Sequence, residues 1–306
     1  MRNFALTGAA GYIAPRHFQA IRDTGNRLVA AVDPHDSVGL LDSYFPEAAF
    51  FTDFERFDRH LEKLRRGPDE QRVHVVSVCA PNHLHDAHVR AALRVDADAI
   101  CEKPLVLNPW NLDLLEDLER ETGQHVWTVL QLRVHPALRA LRERLQAEGR
   151  RRQVRLTYIT SRGRWYHYSW KGDQKKSGGV ITNIGIHFFD LLLWLFGPVE
   201  RFAVETHDAE QAAGTLALAG ADVTWQLSIS SRHLPPETPA GQTTYRSITV
   251  DGEEIEFSGG FRDLHTVVYE RTLAGEGFGI EDARPSIELA HALRTAPPDG
   301  TVRTLS

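Results

Sequence analysis

The 306-residue chain is predicted to fold as two domains. The first is a parallel, doubly wound α/β sheet; the second is an α+β domain on a mostly antiparallel sheet with one open face. Three observations point there. Up to about Gln131, short apolar runs alternate with stretches of helical periodicity. Past Val154, strand-like runs follow one another with few helices between them. The first strand also ends in a glycine-rich turn that opens a helix. A chain of this length exceeds one simple core and suits two.

Residues 4–7 read as the first strand, 8–11 as a turn and 15–24 as a helix. Residues 27–32 form a second strand that ends at Asp33. A helix is expected over 54–66, where Phe57, Leu61 and Leu64 share a face. Residues 73–79 are a continuous β-rich run, the mark of a strand buried on both faces. A helix over 85–93, a strand over 97–101, a helix over 109–122 and a strand over 125–131 complete the alternating part. The domain boundary is expected near 124–135, giving domains 1–125 and 126–306. In the second domain, strands are expected over 154–161, 202–205, 215–218, 222–230, 246–250 and 253–257. Residues 191–196 (LLLWLF) read as a core helix, far short of the roughly 20 residues a membrane span needs. A last helix over 283–295 could return to the first domain.

Composition narrows the function classes. Hydrophobic content of 42% and charged content of 25% are ordinary for a globular protein, and a net charge of −6 argues against a general nucleic-acid binder. Cys79 and Cys101 lie in apolar strand-like runs and read as buried hydrophobes suited to a reducing cytosol. The N-terminus enters a strand at once, so no signal peptide is expected and the location expected is cytoplasmic. The 15 histidines show neither HExxH spacing nor a Cys/His cluster, so no metal is expected.

The turn Gly8-Ala9-Ala10-Gly11-Tyr12-Ile13-Ala14 has the pattern G-x-x-G-x-x-A, one residue longer than the strict dinucleotide fingerprint. Its glycines allow backbone N–H groups to approach a pyrophosphate at a helix start. Asp33 ends the second strand about 20 residues on, where a carboxylate bonds the adenosine ribose hydroxyls. A carboxylate there repels a ribose phosphate, which favours NAD over NADP. A turn-forming Asp before Pro34 is the plainer reading of the same residue.

Three further motifs follow in order: Ala80-Pro81-Asn82-His83-Leu84-His85, Glu102-Lys103-Pro104, and the run 178–190 that contains Gly185-Ile186-His187. Together with the turn they resemble the Gfo/Idh/MocA family of sugar dehydrogenases over nearly the whole chain. The resemblance implies a Rossmann domain holding NAD and a second α/β domain that carries the substrate side and often the subunit interface. The second half is most similar to the UDP-N-acetylglucosaminuronate 3-dehydrogenases. That resemblance rests on residues 8–17 (GAAGYIAPRH), Arg162-Gly163-Arg164-Trp165-Tyr166, Ser169-Trp170-Lys171-Gly172 and residues 183–197. Asn183 departs from the family, where many members have Asp; an amide can hydrogen-bond but cannot relay a proton.

The implied reaction is NAD-dependent oxidation of the sugar C3 hydroxyl to a ketone, in making bacterial surface polysaccharide (O-antigen). It needs a base, and Lys103 and His187 are the candidates, one from each half, both expected to touch the hydroxyl. Which takes the proton stays open. His187 has the plainer alternative of a helix-start packing residue, and Asp190 one turn on either orients it or favours the helix start. Gly8, Ala10, Gly11, Tyr12, Ile13, Asp33, Ala80, Pro81, Asn82, His85, Glu102, Lys103 and Gln131 are expected around the cofactor, Glu102 at the ribose. A nucleotide sugar with a carboxylate needs cations and stacking. Arg162, Arg164, Lys171, Lys175 and Lys176 supply the first, Trp165, Tyr166, Tyr168 and Trp170 the second, with Arg133, His135 and Asn183 also candidates for the sugar. One or more of the three lysines is expected to be merely solvated. A free sugar or polyol substrate, and a non-catalytic NAD sensor, are the competing functions. The first has no use for the cationic and aromatic stretch, the second none for Lys103 with His187. The resemblance further implies recycling of the reduced cofactor by 2-oxoglutarate and a homotetramer that covers the open sheet face.

Overall fold

The computed structural model describes every residue except 240, 256, 258–262 and 306. The chain divides into two compact units, Met1–Val134 with Arg262–Arg284, and His135–Phe261 with Pro285–Ser306.

In the first unit β1 (Asn3–Thr7), α1 (Ala14–Asp23), β2 (Arg27–Val32), β3 (Ala49–Phe51), α2 (Phe54–Arg65), β4 (Val75–Val78), α3 (His85–Arg94), β5 (Asp98–Cys101), α4 (Trp110–Thr122) and β6 (Val126–Thr128) alternate. The strands form one parallel sheet in the order β3-β2-β1-β4-β5-β6. Every residue of β1 and β4 is buried, as an apolar run covered on both faces requires. The expected strand over 125–131 is extended only through β6; Gln131–Val134 then turns as a 3-10 helix. The short edge strand β3 carries too few residues for a periodicity to show.

The second unit begins with α5 (Pro136–Glu148) and β7 (Arg152–Thr160). Three short helices follow, α6 (Arg164–Tyr168), α7 (Gln174–Ser177) and α8 (Gly179–Asn183), and then α9 (Ile186–Phe196). Strands β8 (Val199–His207), β9 (Gln211–Leu218), β10 (Ala221–Ser228), β11 (Thr244–Val250) and β12 (Glu253–Glu254) complete a sheet ordered β12-β11-β7-β10-β9-β8. Only the β7–β10 pair is parallel. Alternation sorts its faces: Val154, Leu156, Leu216, Leu218, Val223, Trp225, Leu227 and Ile248 are buried, while Arg155 and Thr224 on the other face are exposed. Phe189 of α9 meets Trp225 edge-on at 5.3 Å.

The chain ends with α10 (Leu264–Leu273), which packs on α1 in the first unit, and α11 (Ile280–Thr295). Residues Thr266, Val267 and Val268 weaken the helical signal of α10, which the sequence pattern leaves unassigned. Among the described residues no single helix is long and apolar enough to cross a membrane. Residues 174–183 and 186–196 qualify only as a pair bent by 43°, and Val180, Ile181, Phe189, Leu191 and Leu192 in that pair are core side chains.

Gly185 joins α8 to α9 with an ordinary φ of −81°, so space and not conformation demands glycine there. A Cβ would collide with the carbonyl of Ile181 and come within 2.6 Å of Leu227 Cδ1. Gly185→Ala should therefore destabilise the protein by about 1–3 kcal/mol in urea unfolding, although alanine is the better helix former. An unchanged midpoint would show that the two helices can shift apart freely.

His88 stacks on Phe54 at 4.3 Å, and its Nδ1 lies 3.0 Å from Thr7 Oγ1. Burial pushes its pKa from 6.5 down to about 4. Between those values the unfolded chain binds more protons than the folded one, so stability rises with pH across this window and is lost on acidification. The loss amounts to roughly 3 kcal/mol for full protonation. His88→Asn should flatten the fall in urea midpoint across this window; an equally steep fall would assign the acid sensitivity elsewhere.

Candidate active site

The glycine turn lies where strand order reverses, between the exits of β1 and β4, the switch point at which open α/β sheets bind ligands. Gly8 has φ +83°, and a Cβ on it would come within 2.5 Å of the Cys79 carbonyl oxygen and 2.7 Å of the Ala80 nitrogen. Only glycine lets the two strand exits lie this close. The Gly8 and Ala9 N–H groups both donate to Val32 O, at 2.8 and 3.2 Å. Asp33 is buried, and its two oxygens accept the N–H of Ala10 at 3.0 Å and of His35 at 2.9 Å. The carboxylate thus fastens the turn to the end of β2. Helix α1 starts beside it with Pro15 in its first turn and no acidic side chain there, a start that favours an anion. Tyr12 is almost fully exposed. This cradle, the carboxylate and the helix start fit a dinucleotide.

The loops after β4 and β5 are tied together. Pro81, with the buried Asn82, opens a turn into α3, and the first residue of that helix, His85, is fully buried. Its Nδ1 lies 2.7 Å from Pro104 O and its Nε2 lies 2.8 Å from Ala80 O. Burial pushes its pKa down against the pull of the two carbonyls and of Glu102. Lys103 is half-buried, joined to Pro104 by a cis peptide, and its N–H donates to Glu102 Oε2 at 3.2 Å. Glu102 also receives His17 Nε2 at 3.1 Å and His265 Nε2 at 3.0 Å on Oε1. Gln131 is half-buried beyond β6. Arg133 is committed inside this unit: its guanidinium holds the Asp282 carboxylate at 2.7 Å and the Asp282 carbonyl at 2.9 Å, over the Phe278 ring.

In the second unit Asn183 Nδ2 donates to the Tyr166 hydroxyl at 2.7 Å, both residues being buried. The Lys171 ammonium lies over Trp170 at 5.1 Å and Trp165 at 5.4 Å. Burial, aided by the nearby Arg162 charge, pushes the Lys171 pKa down. Burial pushes Tyr166 up, against its bond with Asn183 and the Arg162 charge. Arg162, Tyr166, Lys171 and Asn183 therefore form one cluster. Arg164, Tyr168, Lys175 and Lys176 are exposed, with Lys176 4.0 Å from Asp173. His187 is half-buried near the start of α9, and Asp190 is buried one turn on. His135 is buried in this unit, its ring 6.3 Å from Phe257.

Sequence reasoning passed over His265, Tyr269 and Ser77 and gave His17 no role. His17 had a signal, a histidine on the apolar face of α1; His265 and Tyr269 lie on a helix whose pattern did not declare itself.

Fold and site define a dinucleotide-dependent oxidoreductase with a separate α/β second domain. Residues 2–129 match the NAD-binding Rossmann domain of the GFO_IDH_MocA oxidoreductases, and residues 149–225 match their C-terminal α/β domain. The chain belongs to the Gfo/Idh/MocA oxidoreductase family, and its cofactor is NAD. The WlbA (WbpB) dehydrogenase from Thermus thermophilus, solved in complex with NAD and UDP-GlcNAcA, is 55% identical with a TM-score of 0.93, over 97% of this chain and 96% of that one. The same enzyme with NAD and alpha-ketoglutarate superposes equally well, at 56% identity and the same coverage of both chains. A putative UDP-kanosamine synthase oxidoreductase subunit of Amycolatopsis mediterranei is 32% identical over 127 residues, 41% of this chain and 35% of that protein. Matches to three such curated relatives span only 35% to 43% of their lengths.

Asp33→Ala should cut the preference for NAD over NADP about tenfold or more in cofactor titrations, by removing a charge that repels the 2′-phosphate. An unchanged ratio would take Asp33 away from the ribose.

Proposed function

We propose that the protein oxidises the C3 hydroxyl of UDP-N-acetylglucosaminuronate to the 3-keto sugar, with NAD as acceptor. The observation that carries this is the 55% identity, along nearly the full length of both chains, to a dehydrogenase solved with NAD and UDP-GlcNAcA. The cluster of Arg162, Tyr166, Lys171 and Asn183 supports it, since cations, an aromatic hydroxyl and an amide suit an anionic nucleotide sugar. A neutral polyol would make no use of these charges.

NAD, when bound, accepts the hydride that leaves C3 with its electron pair. The chain's own work is to orient the sugar and to take the hydroxyl proton, so that the C–O bond becomes a carbonyl. We assign that proton to Lys103 or His187. The imidazole starts with a pKa near neutrality, and the lysine amine approaches it when desolvated near positive charge. Gly8, Ala10, Gly11, Tyr12, Ile13 and Asp33 are assigned to the adenosine and pyrophosphate half, and Ala80, Pro81, Asn82, His85, Glu102 and Gln131 to the nicotinamide half. Arg162, Arg164, Tyr166, Tyr168, Trp170, Lys171 and Asn183 are assigned to the nucleotide sugar. Arg133, bound to Asp282, is left with positioning that strand exit. The alpha-ketoglutarate complex of the Thermus enzyme supports 2-oxoglutarate as the oxidant that regenerates NAD. The two buried free thiols fit a reducing cytoplasm, and the open face of the second sheet fits a homotetramer. The product suits the diacetamido uronic acids of surface polysaccharide.

Incubation with NAD, UDP-N-acetylglucosaminuronate and 2-oxoglutarate should give the keto sugar by mass spectrometry; its absence, with NAD bound, would sink this reading. Lys103→Ala and His187→Asn should each lower kcat by about 10²–10⁴ while leaving the Kd for NAD nearly unchanged. NAD binding lost as the main effect would mean that the roles are misassigned.

A further inference from the structure

Glu102 is buried at the end of β5, where a lone carboxylate is costly. Two imidazoles converge on its Oε1, His17 from α1 at 3.1 Å and His265 from α10 at 3.0 Å, with the two rings edge-on at 5.1 Å. Its Oε2 takes the Lys103 N–H. Behind His17, Nδ1 lies 2.7 Å from the Tyr269 hydroxyl, which lies 2.6 Å from Ser77 Oγ on β4. His265 and Tyr269, four residues apart, share one face of α10.

The donor logic is directional. A carboxylate only accepts, so both Nε2 atoms carry a proton. The Nδ1 of a neutral His17 is then an acceptor, filled by Tyr269, whose oxygen accepts from Ser77. Among the described residues Nδ1 of His265 is buried without a hydrogen-bond partner, and the ring's Nε2 is held by Glu102. The three ligand-type atoms lie within 4.8 Å of one another, near enough for a metal ion. Yet both N···O separations are N–H···O lengths, one oxygen serves both rings, and the second nitrogen of His17 is occupied by the phenol.

We propose that His17 and His265 are positioning residues for cofactor binding, holding Glu102 ionised in one orientation through a chain that runs from Ser77 and Tyr269. The proposal rests on the assignment of Glu102 to the nicotinamide ribose. Burial alone would raise the Glu102 pKa; the two imidazole bonds outweigh it and hold the carboxyl well below its usual range. Burial pushes His17 down, which keeps that ring a neutral donor. The other titratable groups around the carboxylate are Cys79, Cys101 and Tyr269, each pushed up by burial and so neutral, together with His85 and Lys103.

The test is the affinity of the full-length protein for NAD, by calorimetry between about pH 8 and 5.5, on variants whose fold is checked by circular dichroism. Wild type should bind with a nearly flat profile. His17→Met with His265→Met should free the Glu102 pKa to rise, so that NAD binds roughly tenfold more weakly at the acid end than at the alkaline end. His17→Gln with His265→Gln, which keeps two N–H donors, should restore the flat profile. Tyr269→Phe, a smaller change for use where the methionine pair does not fold, should shift the profile in the same direction by less. A parallel profile in a folded methionine or phenylalanine variant, or a stoichiometric metal ion in the purified protein, would overturn the proposal. Wild type that binds no NAD at all would instead overturn the cofactor assignment on which it rests.

Discussion

The backbone of residue 8 lies against the carbonyl of Cys79 with no room for a single carbon between them. That approach brings the exits of β1 and β4 together at the one place in the sheet where neighbouring strands send their connections opposite ways. The residues assigned to the cofactor in the first unit are placed from there. The turn sets the start of α1, Asp33 locks the turn to β2, and His85 bridges the loops after β4 and β5. A methyl group at position 8 would displace the reference point for all of them.

The second consequence of close packing is electrostatic. With β5 buried on both faces, Glu102 emerges from the sheet with almost no water. The desolvation penalty of an ion in such a place is several kcal/mol, and charged hydrogen bonds offset about 1.5–3 kcal/mol each. Two imidazole bonds and one backbone N–H are therefore about what is needed to keep the carboxylate charged. That requirement explains why α10, late in the chain, belongs to the first unit: it brings His265 and Tyr269 to a residue more than a hundred positions earlier.

Much of this was legible in the sequence, for local reasons. The central strands β1 and β4 declare themselves because burial on both faces makes each an unbroken apolar run, and β9 and β10 do so through alternation, whereas the edge strand β3 is too short to show either. The glycine turn and Asp33 are readable because their spacing is set by one strand, one helix and the next strand. What was not legible depends on long-range partners. Nothing near Arg133 shows that Asp282 will take its charge, and nothing near Glu102 points to His265. The helix that carries His265 is hidden by β-branched residues that favour strands when read alone. The cluster of Tyr166, Asn183 and Lys171 lies between these cases: the cations and aromatics are visible as a stretch, but the buried amide–phenol bond appears only once α6 and α8 are folded.

The choice of histidine around Glu102 follows from the same physics. A lysine or arginine in that place would satisfy the carboxylate and also cancel its charge, leaving nothing for a cationic ligand nearby. One backbone N–H, that of Lys103, already donates to Oε2, and side-chain donors fill Oε1. Imidazoles supply fixed N–H donors, burial keeps the His17 ring neutral, and the phenol behind His17 fixes its tautomer so that the donor always faces the carboxylate. The negative charge therefore survives burial, and it survives at the end of β5, beside Lys103.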